Sequence, residues 1–523
     1  MLKIATPKQM QMIDKMAIEE AGIPGIILME NAAFRVVEQI EKMTGSLKGK
    51  KILLVAGKGN NGGDAFAAAR QLSGKGAEVC VYIVADKESI KGDAEINLNI
   101  LYNCCFKVFE LANEKYELNI NRFRNDLALC DMVVDGIFGT GFKGEIEGTI
   151  AEIITEINNS GKPVLSIDIP SGVDGSTGRV SKAYIKASAT VTFALPKPGL
   201  ILHPGCNCTG KLDIADIGIP WGIINKMDIN MHLIDRNMVA AMLPTRPNNS
   251  NKGDYGRILI LTGSKGMTGA GCLAGHAALR AGAGLVYLGV PASLSHIYDC
   301  MMAETITCPL EDLGKGYISA DSLERISDLM EKMTVVTIGP GLSVNDEIKK
   351  VVEFVISNAK VPLILDADAL NCIAGDVSVL KELGTMAVLT PHPGEMARLA
   401  GVTVKDVQEN RVEMALEFAQ KWNVIVVLKG YRTVVASPGG RICINPTGNP
   451  GMASAGTGDV LAGTIAALAG QGLSLEDASV AGVYLHGAAG DRAAALKGQY
   501  GMIAGDIINE LPEVIKDLQS RTG

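Results

Sequence analysis

Aliphatic runs recur along the chain with amphipathic helical stretches between them. In the first half they fall at 51–56, 79–85, 132–135, 164–168 and 189–195. In the second half they fall at 257–261, 285–290, 335–338, 363–366, 387–390 and 424–429. Near-continuous apolar runs mark strands buried on both faces, and strands separated by helices imply right-handed crossovers. The pattern predicts an α/β protein with two doubly wound parallel-sheet domains. Lys211-Leu-Asp-Ile-Ala-Asp-Ile-Gly-Ile-Pro220 reads as a closing strand and turn. A new pattern begins at 238–244, and 247–253 is loop-like. The boundary therefore falls near 218–235, giving domains at 1–220 and 230–517. No low-complexity tract and no short-period repeat interrupts either half.

Almost every run ends in a polar or glycine-rich motif. These include Gly57-Lys-Gly-Asn-Asn-Gly-Gly-Asp64, Asp135-Gly-Ile-Phe-Gly-Thr-Gly141, Asp168-Ile-Pro-Ser-Gly172, Gly339-Pro-Gly-Leu342, Asp366-Ala-Asp-Ala369, Thr390-Pro-His-Pro-Gly-Glu395 and Lys429-Gly-Tyr431. Open α/β sheets bind ligands at the carboxyl ends of their strands, so the repetition predicts two sites. The most informative stretch is 445–463, where small residues run into an apolar helical segment starting near Val460. Gly456, Thr457 and Gly458 would present unpaired N–H groups at the positive end of a helix dipole, which suits an anion. Asp459 adds a carboxylate beside it, either as a base for an attacking hydroxyl or as a helix N-cap.

Composition narrows the class. Hydrophobic residues make up 47% and aromatics 4%, with 60 Gly; this aliphatic, glycine-rich usage suits covered parallel sheets. A net charge of −8 implies no general nucleic-acid surface. No apolar run approaches the roughly 18–20 residues of a membrane span, and residues 1–7 lack a signal peptide's apolar core. A cytoplasmic protein with no membrane partner is expected. The 11 Cys are scattered without a pair of CxxC motifs, so reduced thiols are expected and no zinc site.

The second-half motifs, with Asn445-Pro-Thr-Gly-Asn-Pro-Gly-Met-Ala-Ser-Ala-Gly-Thr-Gly-Asp459 and Thr390-Pro-His-Pro-Gly-Glu395 the most specific, resemble the ribokinase-like fold. More narrowly, residues 235–515 resemble the dehydratase domain of the NAD(P)H-hydrate repair enzymes. The resemblance implies ADP or ATP as co-substrate, with Mg²⁺, for removing water from a hydrated nicotinamide ring through a phosphorylated C6 hydroxyl. By that resemblance Asp459 is the base. Gly456, Thr457 and Gly458 hold the phosphoryl group, and Lys429, Gly430, Tyr431, Arg432 and Thr433 contact the nucleotide. Ala270, Gly341, His392 and Asp459 line the substrate cleft, and Glu395 meets Mg²⁺ through water. Asp366 and Asp368 are either site residues or helix caps. His276, His296 and His486 have no motif support and read as structural or surface groups.

In the first half, Gly57-Lys-Gly-Asn-Asn-Gly62 fits G-x-G-x-x-G, the dinucleotide fingerprint. The acidic residue that should follow is Asp86, 29 residues on, where about 20 is usual. Asp64 would also repel a phosphate at that helix start. The longer strings ending at Asp64, Gly141 and Gly175 instead resemble the NAD(P)H-hydrate epimerase domain, Rossmann-like, over about 5–218. The resemblance implies that Asn60, Asn61, Gly62, Gly63, Asp64, Gly139, Thr140, Gly141, Phe142, Lys143, Gly144 and Glu145 hold the substrate's phosphates and ribose. It makes Asp168 the proton-transfer group at C6, and Asn61, Asp135 and Ser171 potassium ligands. One departure is Ala65, where the family pattern has Gly. The substrates implied are NAD(P)H hydrate and ADP or ATP, and a homo-oligomer is expected. A ribokinase-like kinase of a vitamin precursor fused to a nucleotide-binding domain is the competing reading.

Overall fold

The computed structural model describes residues 2–112 and 114–520. The chain divides into two compact units, Lys3–Ile229 and a second that runs from Asn230.

In the first unit seven strands, all parallel, lie in the order Lys107–Glu110, Glu78–Ile83, Lys51–Ala56, Met132–Gly136, Val164–Ile167, Ala189–Phe193 and Lys211–Ala215. Side chains alternate faces along a strand. Ile52, Leu54 and Ala56 accordingly join the core under helices Pro7–Glu19, Gly25–Thr44 and Asn60–Gly74. Leu53 and Val55 join the opposite core, with helices Lys115–Leu129 and Gly148–Asn159. Burial on both faces is why these runs read as unbroken aliphatic segments. From Lys51–Ala56 the chain steps outward twice, then returns to pair Met132–Gly136 on the other side. Strand order reverses there, and in such sheets that is where a ligand crevice opens.

The second unit orders its strands Met231–Leu233, Ile442–Ile444, Val434–Ala436, Ile425–Leu428, Ala387–Leu389, Leu363–Leu365, Val335–Ile338, Arg257–Leu261, Leu285–Pro291 and Ile306–Leu310. The wholly parallel sheet predicted from sequence is corrected here, because Val434–Ala436 runs antiparallel to both neighbours. Only five residues, 429–433, separate it from Ile425–Leu428. That is enough for a hairpin, whereas a parallel crossover needs a dozen or more residues. One face is covered by helices Thr268–Arg280, Thr457–Gly470, Leu475–Lys497 and Ala504–Gln519. No helix among the described residues is long and apolar enough to cross a membrane.

Candidate active sites

At the reversal in the first sheet lies a cavity of about 650 Å³. The helix beside it starts at Asn60, directly after Gly57-Lys-Gly59. Asn-Asn-Gly-Gly is thus its first turn, even though Gly is a poor helix former. Packing decides the matter. A Cβ on Gly57 would stand 2.0 Å from the Ile137 carbonyl oxygen, and one on Gly62 would stand 2.0 Å from the Gly57 oxygen. The glycines therefore let the helix end press against two strand ends. Ala65, the departure from the family pattern, is accommodated by Gly136: its Cβ occupies ground that a Cβ there would approach to 2.8 Å.

Asn60, Asn61, Asp64, Gly139, Thr140, Gly141, Phe142 and Asp168 line this cavity. Gly62 and Gly63 do not; they are buried in packing beneath it. Lys143 and Gly144 are exposed and off its wall, and Glu145 is engaged elsewhere, accepting from Ser181 Oγ at 3.1 Å and the Lys182 amide at 2.8 Å.

Asp168 holds a left-handed backbone, φ 61°, just past its strand. Such strain in a non-glycine residue gathers at functional sites. Lys197 Nζ lies 2.6 Å from Asp168 Oδ1, and Thr192 Oγ1 donates to the same oxygen at 3.0 Å. Two groups not foreseen from sequence complete the constellation, Lys197 and Asp14. Burial, with Asp168 and Asp14 beside it, pushes Asp64 well above the usual carboxylate range. Burial also raises Asp14 to about 6, against the pull of Lys197. The motif signal for Lys197 was present: Pro196-Lys-Pro198 follows a strand end like the other motifs. Asp14 had none, since it sits on a helix whose buried stripe is Met10, Ile13 and Ala17.

Asp135 is fully buried, and burial raises its pKa. Four donors meet it: Ser166 Oγ at 2.8 Å, the Ser171 amide at 2.9 Å, Ser171 Oγ at 2.6 Å and the Ile137 amide at 3.2 Å. No lysine or arginine pairs with it among the described residues. Asn61 Nδ2 donates to the Phe138 carbonyl at 2.9 Å, and the Phe138 amide donates to Ser171 Oγ. Asn61, Asp135 and Ser171 are therefore brought together through one loop. Among the described residues no group of three or more His, Cys, Asp or Glu side chains is placed to hold a metal ion.

In the second unit helix Thr457–Gly470 starts at its αL N-cap Gly456, φ 87°. Thr457 Oγ1 donates back to the Met452 and Ser454 carbonyls at 3.1 and 3.0 Å, closing the turn. Lys429 Nζ lies 2.9 Å from Asp366 Oδ1 and 3.9 Å from Glu395 Oε2. A Cβ on Gly458 would be 3.3 Å from that ammonium, so the cation stands against the turn that opens this helix. Burial alone would depress the Lys429 pKa, but Asp366, Glu395 and Asp459 outweigh it and leave it raised. Asp459 is half-buried; desolvation, with Asp366 and Asp368 repelling its charge, pushes it up to about 7 against Lys429. A carboxyl poised near neutrality is suited to general base work.

Asp366 is 1% exposed; its Oδ1 accepts from Lys429 and Thr390, while its Oδ2 has no hydrogen-bond partner. Asp368 opens a helix and accepts from the Ser343 amide at 2.8 Å. Between them Ala367 takes a positive φ of 48°. His392 Nδ1 accepts from the Gly394 and Glu395 amides, and Glu395 Oε2 accepts from the His392 amide, a reciprocal cap at the start of helix Pro393–Ala400. Burial, then Lys429 and Arg398, lowers the His392 pKa. Ala270 and Gly341 meet directly, since a Cβ on Gly341 would be 3.0 Å from Ala270 Cβ. His486 hydrogen-bonds the Thr457 backbone, and burial lowers its pKa to about 4. It thus braces the turn from helix Leu475–Lys497, although it carried no motif signal.

A family described as "NAD(P)H-hydrate dehydratase" matches residues 258–513, and one described as "YjeF-related protein N-terminus" matches 25–199. The bifunctional NAD(P)H-hydrate repair enzyme of Moorella thermoacetica is 45% identical over 99% of this chain and 97% of its own length. That of Thermofilum pendens is 38% identical over 99% and 97%. A crystal structure of the ADP/ATP-dependent NAD(P)H-hydrate dehydratase from Bacillus subtilis, co-crystallized with ATP/Mg²⁺, covers 55% of this chain and 99% of that one, at 33% identity and a TM-score of 0.49.

Proposed function

The chain belongs to the bifunctional NAD(P)H-hydrate repair enzymes, and from that premise we infer how its two sites divide the work. The enzyme interconverts the R and S forms of NAD(P)H hydrate and dehydrates the S form to NAD(P)H at the expense of ADP or ATP. The observation that carries the dehydratase assignment is Asp459, raised to about 7 at an open helix N-terminus with Lys429 beside it.

In this reading Asp459 takes the proton from the C6 hydroxyl. The hydroxyl oxygen attacks the terminal phosphorus of the nucleotide and releases AMP or ADP. The amides at 456–458 and the Lys429 ammonium offset charge on the moving phosphoryl group, the main task in phosphoryl transfer. Hydroxide leaves poorly, but the new C6–O–phosphate bond breaks readily as the ring nitrogen's lone pair moves in. Loss of a proton from C5 then restores the dihydronicotinamide. Ala270, Gly341 and His392 border the hydrate, and Gly430, Tyr431, Arg432 and Thr433 border the nucleotide. Mg²⁺, which usually keeps several waters, would be held through water by Glu395. The unpartnered Asp366 Oδ2 suits such an oxygen-rich shell. When bound it neutralises nucleotide phosphate charge.

In the N-terminal unit Asp168 carries proton transfer at C6. Asn60, Asn61, Asp64, Gly139, Thr140, Gly141 and Phe142 surround the hydrate. Gly62 and Gly63 shape the helix start behind them, and Lys143, Gly144 and Glu145 continue the phosphate-side loop. Potassium suits Asn61, Asp135 and Ser171, all oxygen donors. Asp135 there is a buried carboxyl with no cationic partner among the described residues, so a monovalent cation would supply the missing charge.

The test follows the dihydronicotinamide absorbance. Pure S hydrate with ADP or ATP should regain it, and pure R hydrate should regain it at a rate above spontaneous epimerisation. A stable phosphorylated product that never regains the absorbance would overturn the dehydratase reading in favour of a small-molecule kinase.

A further inference from the structure

Asp14 projects from helix Pro7–Glu19 into the N-terminal cavity and is half-buried there. It shares that space with Asp64 from helix Asn60–Gly74, with Asp168 past the strand Val164–Ile167, and with Lys197. Lys58 and Asp93 border the same cavity. Lys197 contacts only Asp168, at 2.6 Å, and its remaining hydrogen bonds go to Thr192 and the Phe193 carbonyl. Neither Asp14 nor Asp64 makes a hydrogen bond or ion pair among the described residues. Lys58 is exposed, so these three carboxyls share a single buried ammonium, Lys197, and desolvation opposes all three carrying charge at once. The cavity therefore stores a proton opposite the carboxyl that Lys197 neutralises.

We propose that Asp14 is a second catalytic residue of the epimerase, the acid that works against Asp168 as the base. The proposal rests on the epimerase reading above. In the step it serves, the Asp14 proton passes to the C6 hydroxyl oxygen. The C6–O bond breaks, water leaves, and the N1 lone pair forms the N1=C6 bond. Water then adds to the opposite face of C6 and gives its proton to the Asp168 carboxylate. The C6–O bond forms and the electron pair returns to N1. Asp14 and Asp168 exchange roles in the reverse direction, so one cavity serves both epimers. The raised position of Asp14, about 6, keeps a usable fraction protonated near neutrality. Burial, with Asp168 and Asp14 beside it, likewise raises Asp64 well above the usual carboxylate range.

The test uses the full chain without nucleotide, so that the dehydratase is idle, and follows the approach of pure R hydrate to its equilibrium mixture by chromatography. Asp14→Asn should slow interconversion about 10²- to 10⁴-fold, the usual worth of a general acid. The wild-type rate is expected to fall as pH rises above about 6, and this substitution should abolish that fall. Asp14→Glu, which returns a carboxyl on a longer stem, should recover at least tenfold of the loss and restore the limb. A rate within twofold of wild type in Asp14→Asn would overturn the proposal. So would a slow variant that keeps the wild-type limb, because a merely structural loss leaves the titrating acid in place. A wild-type chain that does not interconvert the epimers at all would overturn the epimerase reading itself.

Discussion

Both units place a lysine–aspartate pair at a strand end and a further carboxyl beside it, yet the balance differs. In the N-terminal unit Lys197 meets Asp168 at 2.6 Å, and two more carboxyls, Asp14 and Asp64, share the cavity. Neither of these two has a buried cation of its own, and burial raises both above the usual carboxylate range. In the C-terminal unit Lys429 meets Asp366 at 2.9 Å and Glu395 at 3.9 Å, and a further carboxyl, Asp459, sits in the first turn of a helix. The helix dipole and the ammonium favour its ionised form while burial and two aspartates oppose it, leaving it near 7. The same pair of residue types thus builds a proton store in one place and a proton acceptor in the other. What differs is the helix N-terminus, which supports the charge on Asp459 and has no counterpart at Asp14, in the middle of its helix.

The largest effects should come from crossing the two sites. We propose that Asp459→Asn lowers dehydration of S hydrate about 10²- to 10⁴-fold while leaving R-to-S interconversion intact, and that Asp168→Asn does the reverse. Separate assays of the two steps on each variant check this, and a variant that stays folded but loses both activities breaks the separation. A smaller effect sharpens the electrostatic half of the comparison. As the proposed base, Asp459 would act deprotonated, so dehydration at saturating nucleotide should rise with pH through about 7 and level off above it. Lys429 holds that carboxyl down, so Lys429→Met should move the rising limb to higher pH. A limb that stays put would remove Lys429 from the argument. The smallest effect is expected at Ala65. Ala65→Gly would strip a buried methyl from a helix, costing about 0.5–1 kcal/mol of stability and little activity, read as a modest drop in melting temperature with rates within twofold.

The parallel strands were legible because burial on both faces leaves a local record, as in Ile-Leu-Leu-Val-Ala at 52–56. The site motifs were legible because chain reversal at a strand end demands glycine and polar residues locally, as at Gly339, where a Cβ would lie 1.7 Å from the Asp366 carbonyl oxygen. The strands Val434–Ala436 and Ile442–Ile444 were not foreseen, because Ser437-Pro-Gly-Gly-Arg441 between them breaks the aliphatic pattern and the segment reads as a loop. Asp14 and His486 carried no signal for another reason. Each matters through neighbours distant in the chain, and nothing in its own segment reports them.

The sequence by itself determined the central strands buried on both faces, where they end, and which residue types wait there, since backbone preference and burial pattern act over a few positions. Only the tertiary structure decided strand order, the antiparallel strand Val434–Ala436, and which ionisable groups share a cavity. Charge acts through space and falls off with distance. The protonation of Asp14, Asp64 and Asp459 was therefore fixed only when folding brought together side chains from separate elements.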